Sequence, residues 1–176
     1  IYRGFLIQKI NQNIFKNVNY QIQDNNNNMK NIDLTVEEKA TGEIFAGAGT
    51  GTTGSSITAG IKENNYLGRG VSLDAKLDLS ETSIKGKFSV SNPNFRNSDK
   101  LVYTNIQSIE TDKLTDFGYK TNKTGLSLGT NFEYYDDLNL GLGASSFYEK
   151  IETDSTASTR QKQQEGDYFD NFLSLT

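Results

Sequence analysis

The sequence predicts a mainly β protein: an antiparallel, up-and-down transmembrane β-barrel that follows a small, incomplete α+β unit. From Thr41 onward, apolar and polar residues alternate over segments of about ten residues, the length of a membrane-spanning strand. Only 34% of the 176 residues are hydrophobic, which is low for a packed soluble core, whereas 11% aromatic residues argue against disorder. Aromatic residues also border the predicted turns in two groups, as the interfacial girdles of barrels do.

Residues 1–40 are predicted to be a separate unit. The segment Phe5–Phe15 places apolar residues at helical spacing, and short strands are predicted around Asn17–Gln23 and Ile32–Glu38. About forty residues bury too little surface to fold alone. We therefore interpret this unit as the back end of a small α+β domain and the whole chain as an internal fragment of a longer protein.

Residues 41–176 are predicted to hold about eight strands, joined one after another by turns. The predicted turns are Thr50–Gly54, Asn64–Gly70, Ser80–Thr82, Asn92–Lys100, Thr111–Thr121, Glu133–Asp137 and Thr153–Asp167. One aromatic group borders every second turn and contains Tyr66, Phe95, Tyr134 and Tyr135. The opposite group contains Phe117, Tyr119, Phe147, Tyr148 and Tyr168. Because we interpret the chain as an internal fragment, we expect the sheet of these strands not to close.

The composition excludes several kinds of chemistry. The chain has no Cys and no His, which excludes thiol catalysis, disulfides, His-based triads and the usual zinc sites. A net charge of −4 without a Lys/Arg cluster argues against nucleic-acid binding. The segment Gly49–Gly54 satisfies G-x-G-x-x-G, but the residues after it alternate like a strand and no phosphate-binding Lys follows. The sequence therefore predicts a protein that is not an enzyme and binds no cofactor, metal or nucleotide.

Three ordered motifs carry a resemblance to a known family. V-E-E-K-x-T-G lies at Val36–Gly42, N-N-x-L-G-x-G at Asn64–Gly70 and S-V-S-N-P-x-F at Ser89–Phe95. In these motifs the sequence resembles the bacterial outer-membrane β-barrel assembly factors of the BamA family, at the junction between the last periplasmic POTRA domain and the first barrel strands. The match covers most of residues 13–150. TamA-like factors and two-partner secretion transporters share this architecture and stay open as alternatives.

The resemblance implies a function and an orientation. It implies that residues 1–40 are the periplasmic remnant of a POTRA domain and that residues 41–176 are the N-terminal part of a barrel in the bacterial outer membrane. Such a protein folds and inserts other barrel proteins without nucleotide hydrolysis. The implied partners are nascent outer-membrane β-barrel proteins, outer-membrane lipids and assembly lipoproteins that bind through POTRA domains. The implied periplasmic turn residues are Asn64, Asn65, Tyr66, Leu67, Gly68, Arg69, Gly70, Asn92, Pro93 and Phe95.

The first predicted barrel strand is the candidate functional segment. It consists of Glu43, Ile44, Phe45, Ala46, Gly47, Ala48, Gly49, Thr50 and Gly51. Each glycine costs roughly 0.5–1 kcal/mol relative to alanine in a strand, so this strand is expected to pair weakly. Our hypothesis is that it opens as a lateral gate and templates client strands by β-augmentation. A passive eight-stranded outer-membrane barrel and a soluble β-rich binding module are the competing hypotheses.

Overall fold

The computed structural model describes residues 15–25, 29–51 and 54–176, which form two antiparallel sheets. The first is a hairpin of β1 (Phe15–Asn25) and β2 (Met29–Glu38). These strands contain the two short strands predicted near the N-terminus. Of the helix predicted over Phe5–Phe15, all but Phe15 lies outside the described residues, and Phe15 begins β1.

The second sheet has eight strands in the order β10-β9-β8-β7-β6-β5-β4-β3, which is the predicted up-and-down meander. The strands are β3 (Gly42–Gly51), β4 (Gly54–Tyr66), β5 (Val71–Ser80), β6 (Ser83–Asn92), β7 (Leu101–Lys113), β8 (Tyr119–Tyr135), β9 (Leu138–Thr153) and β10 (Gly166–Leu175). Short helical segments cover Phe95–Asn97, Leu114–Phe117 and Thr159–Lys162. Because β3 and β10 lie at opposite edges, the sheet is unclosed, as predicted.

Several strands run further than the alternation of the sequence indicated. Asn64, Asn65 and Tyr66 belong to β4, and Asn92 is the last residue of β6, so the prediction that these four lie in turns is wrong. The turn predicted over Thr111–Thr121 shortens in the same way, because β7 and β8 stay paired as far as Lys113 and Tyr119. Ladder hydrogen bonds need no apolar side chain, so pairing continues where the apolar pattern has ended.

The sheet has one apolar and one polar face. Residues that pair across neighbouring strands share a face. One such row contains Ile44, Ile61, Ala75, Phe88, Ile106 and Leu126, and it defines the apolar face. The next row contains Phe45, Gly60, Lys76, Lys87, Gln107 and Gly125, and it defines the polar face.

Exposure on the two faces is the reverse of what a soluble sheet shows. On the apolar face, Ile106 is 49% and Leu128 is 53% exposed, whereas Gln107 and Ser127 on the polar face are half-buried. Among the described residues, the only buried hydrophobic side chain is Ala157, which lies in a loop. Soluble monomers rarely expose an apolar surface of this extent, so the apolar face requires an apolar environment. No helix among the described residues is long and apolar enough to span a membrane.

The apolar band crosses the strands obliquely. The paired row Ala48, Ile57, Leu79 and Ile84 continues into β7, β8 and β9 as Glu110, Asn122 and Lys150. At the other end, Val102, Thr130 and Leu142 form a row that begins with Asn92 in β6. The band thus shifts along the strands from β3 to β10. Strands of a barrel are tilted against its axis, and a horizontal apolar layer then gives this oblique pattern.

The aromatic groups are confirmed in part. The predicted group of Tyr66, Phe95, Tyr134 and Tyr135 lies at one end of the sheet, with every ring at least 40% exposed. In the second group, Tyr148 lies on the apolar face, opposite Phe169. Phe147 and Tyr168 instead lie on the polar face, so the prediction that they border the lipid is wrong. Their positions within the alternation, rather than their distance from a turn, decide the face.

Candidate functional site

Strand β3 lies at an edge of the eight-stranded sheet, and β4 is its only partner among the described strands. All nine residues of the candidate segment, Glu43 to Gly51, belong to this strand, which begins one residue earlier than predicted. Ile44 on the apolar face is 85% exposed. The structure therefore places an unpaired row of backbone N–H and C=O groups along the outer side of the predicted gate.

The half of β3 that is nearer its C-terminal end, which we call the distal half, has no side chains on the polar face. Its positions on that face are occupied by Gly47, Gly49 and Gly51. A Cβ at Gly47 would lie 3.4 Å from Thr58 Cγ2, one at Gly49 would lie 3.9 Å from Ser56 Oγ, and one at Gly51 would meet nothing within 4 Å. There is room for side chains at these glycines, so packing does not require them. What they remove is the set of cross-strand side-chain contacts, each about 0.2–1 kcal/mol, that would hold β3 on β4.

The proximal half of β3 is held by an aromatic contact. The ring of Phe45 covers Gly60 of β4, and its Cζ lies 2.4 Å from where a Cβ of Gly60 would be. Phe45 is half-buried although it lies in an edge strand. Coverage of a strand glycine by a cross-strand aromatic ring pins the register of the pair. The sequence predicted the weakness of β3 but not this fixed point.

The segment that leads into β3 is bonded to the end of β4, and we call this end of the sheet the junction end. The Glu63 carboxylate accepts hydrogen bonds from the Thr41 hydroxyl and, at 2.7 Å, from the Asn65 N–H. The Asn64 backbone N–H and side-chain amide donate to the Thr41 carbonyl at 3.3 and 3.4 Å. Glu63 was missed by sequence reasoning. It could have been recognised because it is the one acidic residue among the positions of β4 that alternate with the polar face and otherwise include Ile57, Ala59 and Ile61.

The turn after β4 is built on left-handed backbone. Leu67, Gly68 and Gly70 have φ values of 56°, 69° and 66°, and the Asn65 side chain accepts from the Gly70 N–H at 2.7 Å. Glycine adopts this conformation without strain, which explains the glycines of the motif, whereas Leu67 adopts it at a cost. The Leu67 side chain is 73% exposed. The motif that suggested the family thus encodes a tight turn beside the junction.

The turn after β6 joins the same end of the sheet. Asn92 accepts from the Asn94 N–H at 3.1 Å, and the Phe95 N–H donates to the Lys100 carbonyl at 3.0 Å. Pro93 and Phe95 lie in this turn as predicted. The bond between Phe95 and Lys100 brings the two ends of the turn together, and the Phe95 side chain is 40% exposed.

The G-x-G-x-x-G segment forms a hairpin rather than a nucleotide loop. Gly51 ends β3, Gly54 begins β4, and the two residues pair with each other. A dinucleotide site needs a helix N-terminus after the last glycine, and a strand occupies that place here. In the described part of the chain there is also no group of three or more acidic, His or Cys residues that could hold a metal ion.

No family model matches the sequence. The fold resembles the crystal structure of BamA from Haemophilus ducreyi lacking POTRA domains 1–3, with a TM-score of 0.73 and 22% sequence identity. The match covers 99% of this chain and 36% of that one, so the chain spans about a third of the protein it matches. With its open, antiparallel eight-stranded meander, this chain has the fold of part of a BamA barrel.

Proposed function

We propose that this protein is an outer-membrane β-barrel assembly factor that folds and inserts other barrel proteins, with β3 as the lateral gate and template. The observation that carries the proposal is an unpaired edge strand whose distal half lacks side chains on its polar face. The BamA-like fold supports it. The nature of the clients, their route and the outer-membrane location are part of the proposal.

The energetic basis is the cost of an unpaired strand edge in lipid. About half of the backbone polar groups of an edge strand point away from its partner, and each costs several kcal/mol if it stays unpaired in hydrocarbon. The free edge of β3 must therefore pair with another strand. A client strand that adds to this edge satisfies its own backbone and that of β3 together, which is β-augmentation.

The glycines make this pairing exchangeable. Because Gly47, Gly49 and Gly51 offer no side chains on the polar face, a strand that pairs here forgoes cross-strand contacts of about 0.2–1 kcal/mol each. The backbone bonds remain and are independent of client sequence. A strand that binds its clients through backbone hydrogen bonds can pair with many client sequences. It can also release one client strand when another strand replaces it.

The proposed setting follows the orientation of the junction end. Residues 1–40 are proposed to lie in the periplasm, where they would bind assembly lipoproteins, and residues 41–176 in the outer membrane in contact with its lipids. The far end, with the loops Leu114–Gly118 and Asp154–Glu165, would face outward. The process consumes no nucleotide, because the free energy of strand pairing and burial drives it, and the protein is proposed to be neither an enzyme nor a nucleic-acid binder.

Two alternatives fit the geometry less well. A passive, closed eight-stranded barrel needs β3 to pair with β10, and these strands lie at opposite edges. A soluble binding module would bury its apolar face, whereas Leu128 and Ile106 are about half exposed there. A TamA-like factor or a two-partner secretion transporter would use the same sheet, and the client distinguishes them.

Site-specific photocrosslinking tests the proposal. A photoreactive residue replaces Ile44 at the free edge of β3, and the control replaces Ile84, which lies on the same face in the interior strand β6. In membranes that are folding an outer-membrane client, we expect client adducts at position 44 and none at 84. Equal yields at both positions would refute the gate, and adducts with a secreted polypeptide would favour a transporter.

A further inference from the structure

The basic residues at the two ends of the apolar face differ in whether they are paired with carboxylates. At the far end, Lys120 is 2.8 Å from Glu110, and Lys150 is 2.5 Å from Glu152, so carboxylates neutralise both lysines. At the junction end, Lys100 Nζ lies 5.5 Å from the centre of the Phe132 ring, and Arg96 Cζ lies 5.5 Å from that of Phe95. No carboxylate among the described residues forms an ion pair with Lys100 or Arg96.

The Lys100–Phe132 pair marks the boundary of the apolar band. Phe132 pairs with Leu140 on the apolar face, and Lys100 directly precedes β7, which enters the band at Val102. The ring is half-buried and the ammonium side chain is exposed. A cation held over an aromatic ring keeps its charge available on the side away from the ring. This pair therefore presents a positive charge at the depth where hydrocarbon meets the headgroup layer.

The surrounding surface suits the same layer. Tyr66, Tyr134 and Tyr135 are 46%, 63% and 70% exposed at this end, and the two neighbouring tyrosine rings meet edge to face at 5.4 Å. Amphipathic rings of this kind concentrate where a membrane meets water. The nearby Glu133 carboxylate is engaged by the Asp137 N–H at 3.2 Å.

We propose that the junction end of the apolar face is a binding surface for anionic phospholipid headgroups, with Lys100 and Arg96 as the phosphate-binding cations. The inference rests on the proposed membrane location of the sheet. Its basis is charge complementarity: two exposed cations without carboxylate partners border an apolar surface, and a phosphate on a lipid supplies both the counter-charge and the acyl chains. At the far end of the apolar face, Lys120 and Lys150 are already paired with carboxylates and are excluded from this role.

Spin-labelled lipids test this surface in membranes reconstituted with the protein at its full natural length. The measured quantity is the association of spin-labelled phosphatidylglycerol relative to phosphatidylcholine at the protein–lipid boundary. A basic residue near a membrane surface contributes about fivefold to anionic attraction. We expect the wild type to prefer phosphatidylglycerol, the double variant K100Q/R96Q to lose most of that preference, and 1 M salt to reduce it by screening. The control K150Q alters a lysine that is already paired.

The outcomes separate this inference from the proposed function. Unchanged preference in K100Q/R96Q, or an equal loss in K150Q, would overturn the headgroup surface. Client folding measured in the same membranes reports on the assembly role independently. A protein that folds clients but shows no lipid preference refutes the surface alone, and one that shows the preference without folding clients refutes only the assembly role.

Discussion

Gly60→Ala is expected to destabilise the pairing of β3 with β4, because the added methyl group has no space. A Cβ at this position would lie 2.4 Å from Cζ of Phe45 and 2.7 Å from the carbonyl oxygen of Ala75. The ring can swing away, but the carbonyl belongs to the backbone of β5 and moves only with the ladder. Overpacking costs about 1–3 kcal/mol, and displacing Phe45 removes a cross-strand contact of about 0.2–1 kcal/mol. The expected total is about 1–4 kcal/mol.

Gly47→Ala is the matched control, since it adds the same methyl group to the same hairpin and the same face. Its Cβ would meet Thr58 Cγ2 at 3.4 Å, an ordinary contact. Replacing a strand glycine by alanine gains roughly 0.5–1 kcal/mol where the backbone is unstrained. The two substitutions should therefore shift stability in opposite directions.

The assay is urea unfolding of the protein folded in lipid bilayers, followed by heat-modifiable gel migration and circular dichroism. Amide hydrogen exchange of β3 locates the effect. We expect Gly60→Ala to lower the urea midpoint and to expose the β3 amides first. If Gly60→Ala unfolds at the wild-type midpoint, or Gly47→Ala is the more destabilising variant, the account of Phe45 as the fixed point of β3 is wrong.

Three further predictions concern the faces, the junction and the far-end loop. Ile106→Arg should cost about 2–4 kcal/mol of stability in bilayers while Gln107→Arg costs little, because only Ile106 lies on the apolar face, which we propose contacts lipid; equal urea midpoints would contradict this assignment. Thr41→Val should speed amide exchange at Asn64, because it removes the hydrogen bond from the Thr41 hydroxyl to the Glu63 carboxylate, whereas Thr41→Ser should not; equal protection in both variants would show that this hydrogen bond does not hold the junction end. Hydrogen bonds from Thr156 lower the pKa of Asp154, so the loop should resist proteolysis at neutral pH and open as acid protonates that carboxylate; protection that persists in acid would count against it.

Most of the sheet could be predicted because its two-residue period is uninterrupted. Strands such as Val71–Ser80 and Ser83–Asn92 alternate from end to end, and a strand with one apolar face has no other way to place these side chains. The glycine-rich strand also followed from local sequence, since β-branched residues rather than a helix come after Gly54. These features depend only on neighbours along the chain, and they were confirmed.

The contacts between strands could not be predicted, because they depend on register. Phe45 meets Gly60 only when β3 and β4 pair as they do, and a slip of one residue would send the ring to the other face. Glu63 likewise becomes a junction residue only when Thr41 lies opposite the end of β4. Phe147 was assigned to the lipid boundary from its nearness to a turn, and its register puts it against Gly125 instead.

The uneven attachment of β3 to β4 bears on where the proposed gate would open. At the junction end, hydrogen bonds join Thr41 to the end of β4, and the ring of Phe45 covers Gly60. Toward the far end, Gly47, Gly49 and Gly51 are held by backbone hydrogen bonds and have no side chains that could contact β4 on the polar face. Loss of pairing should therefore begin at the far end and stop near Phe45. The junction stays intact while the distal edge exchanges partners, so a client strand would add from the far end downward, and the N-terminal unit would keep a fixed attachment throughout.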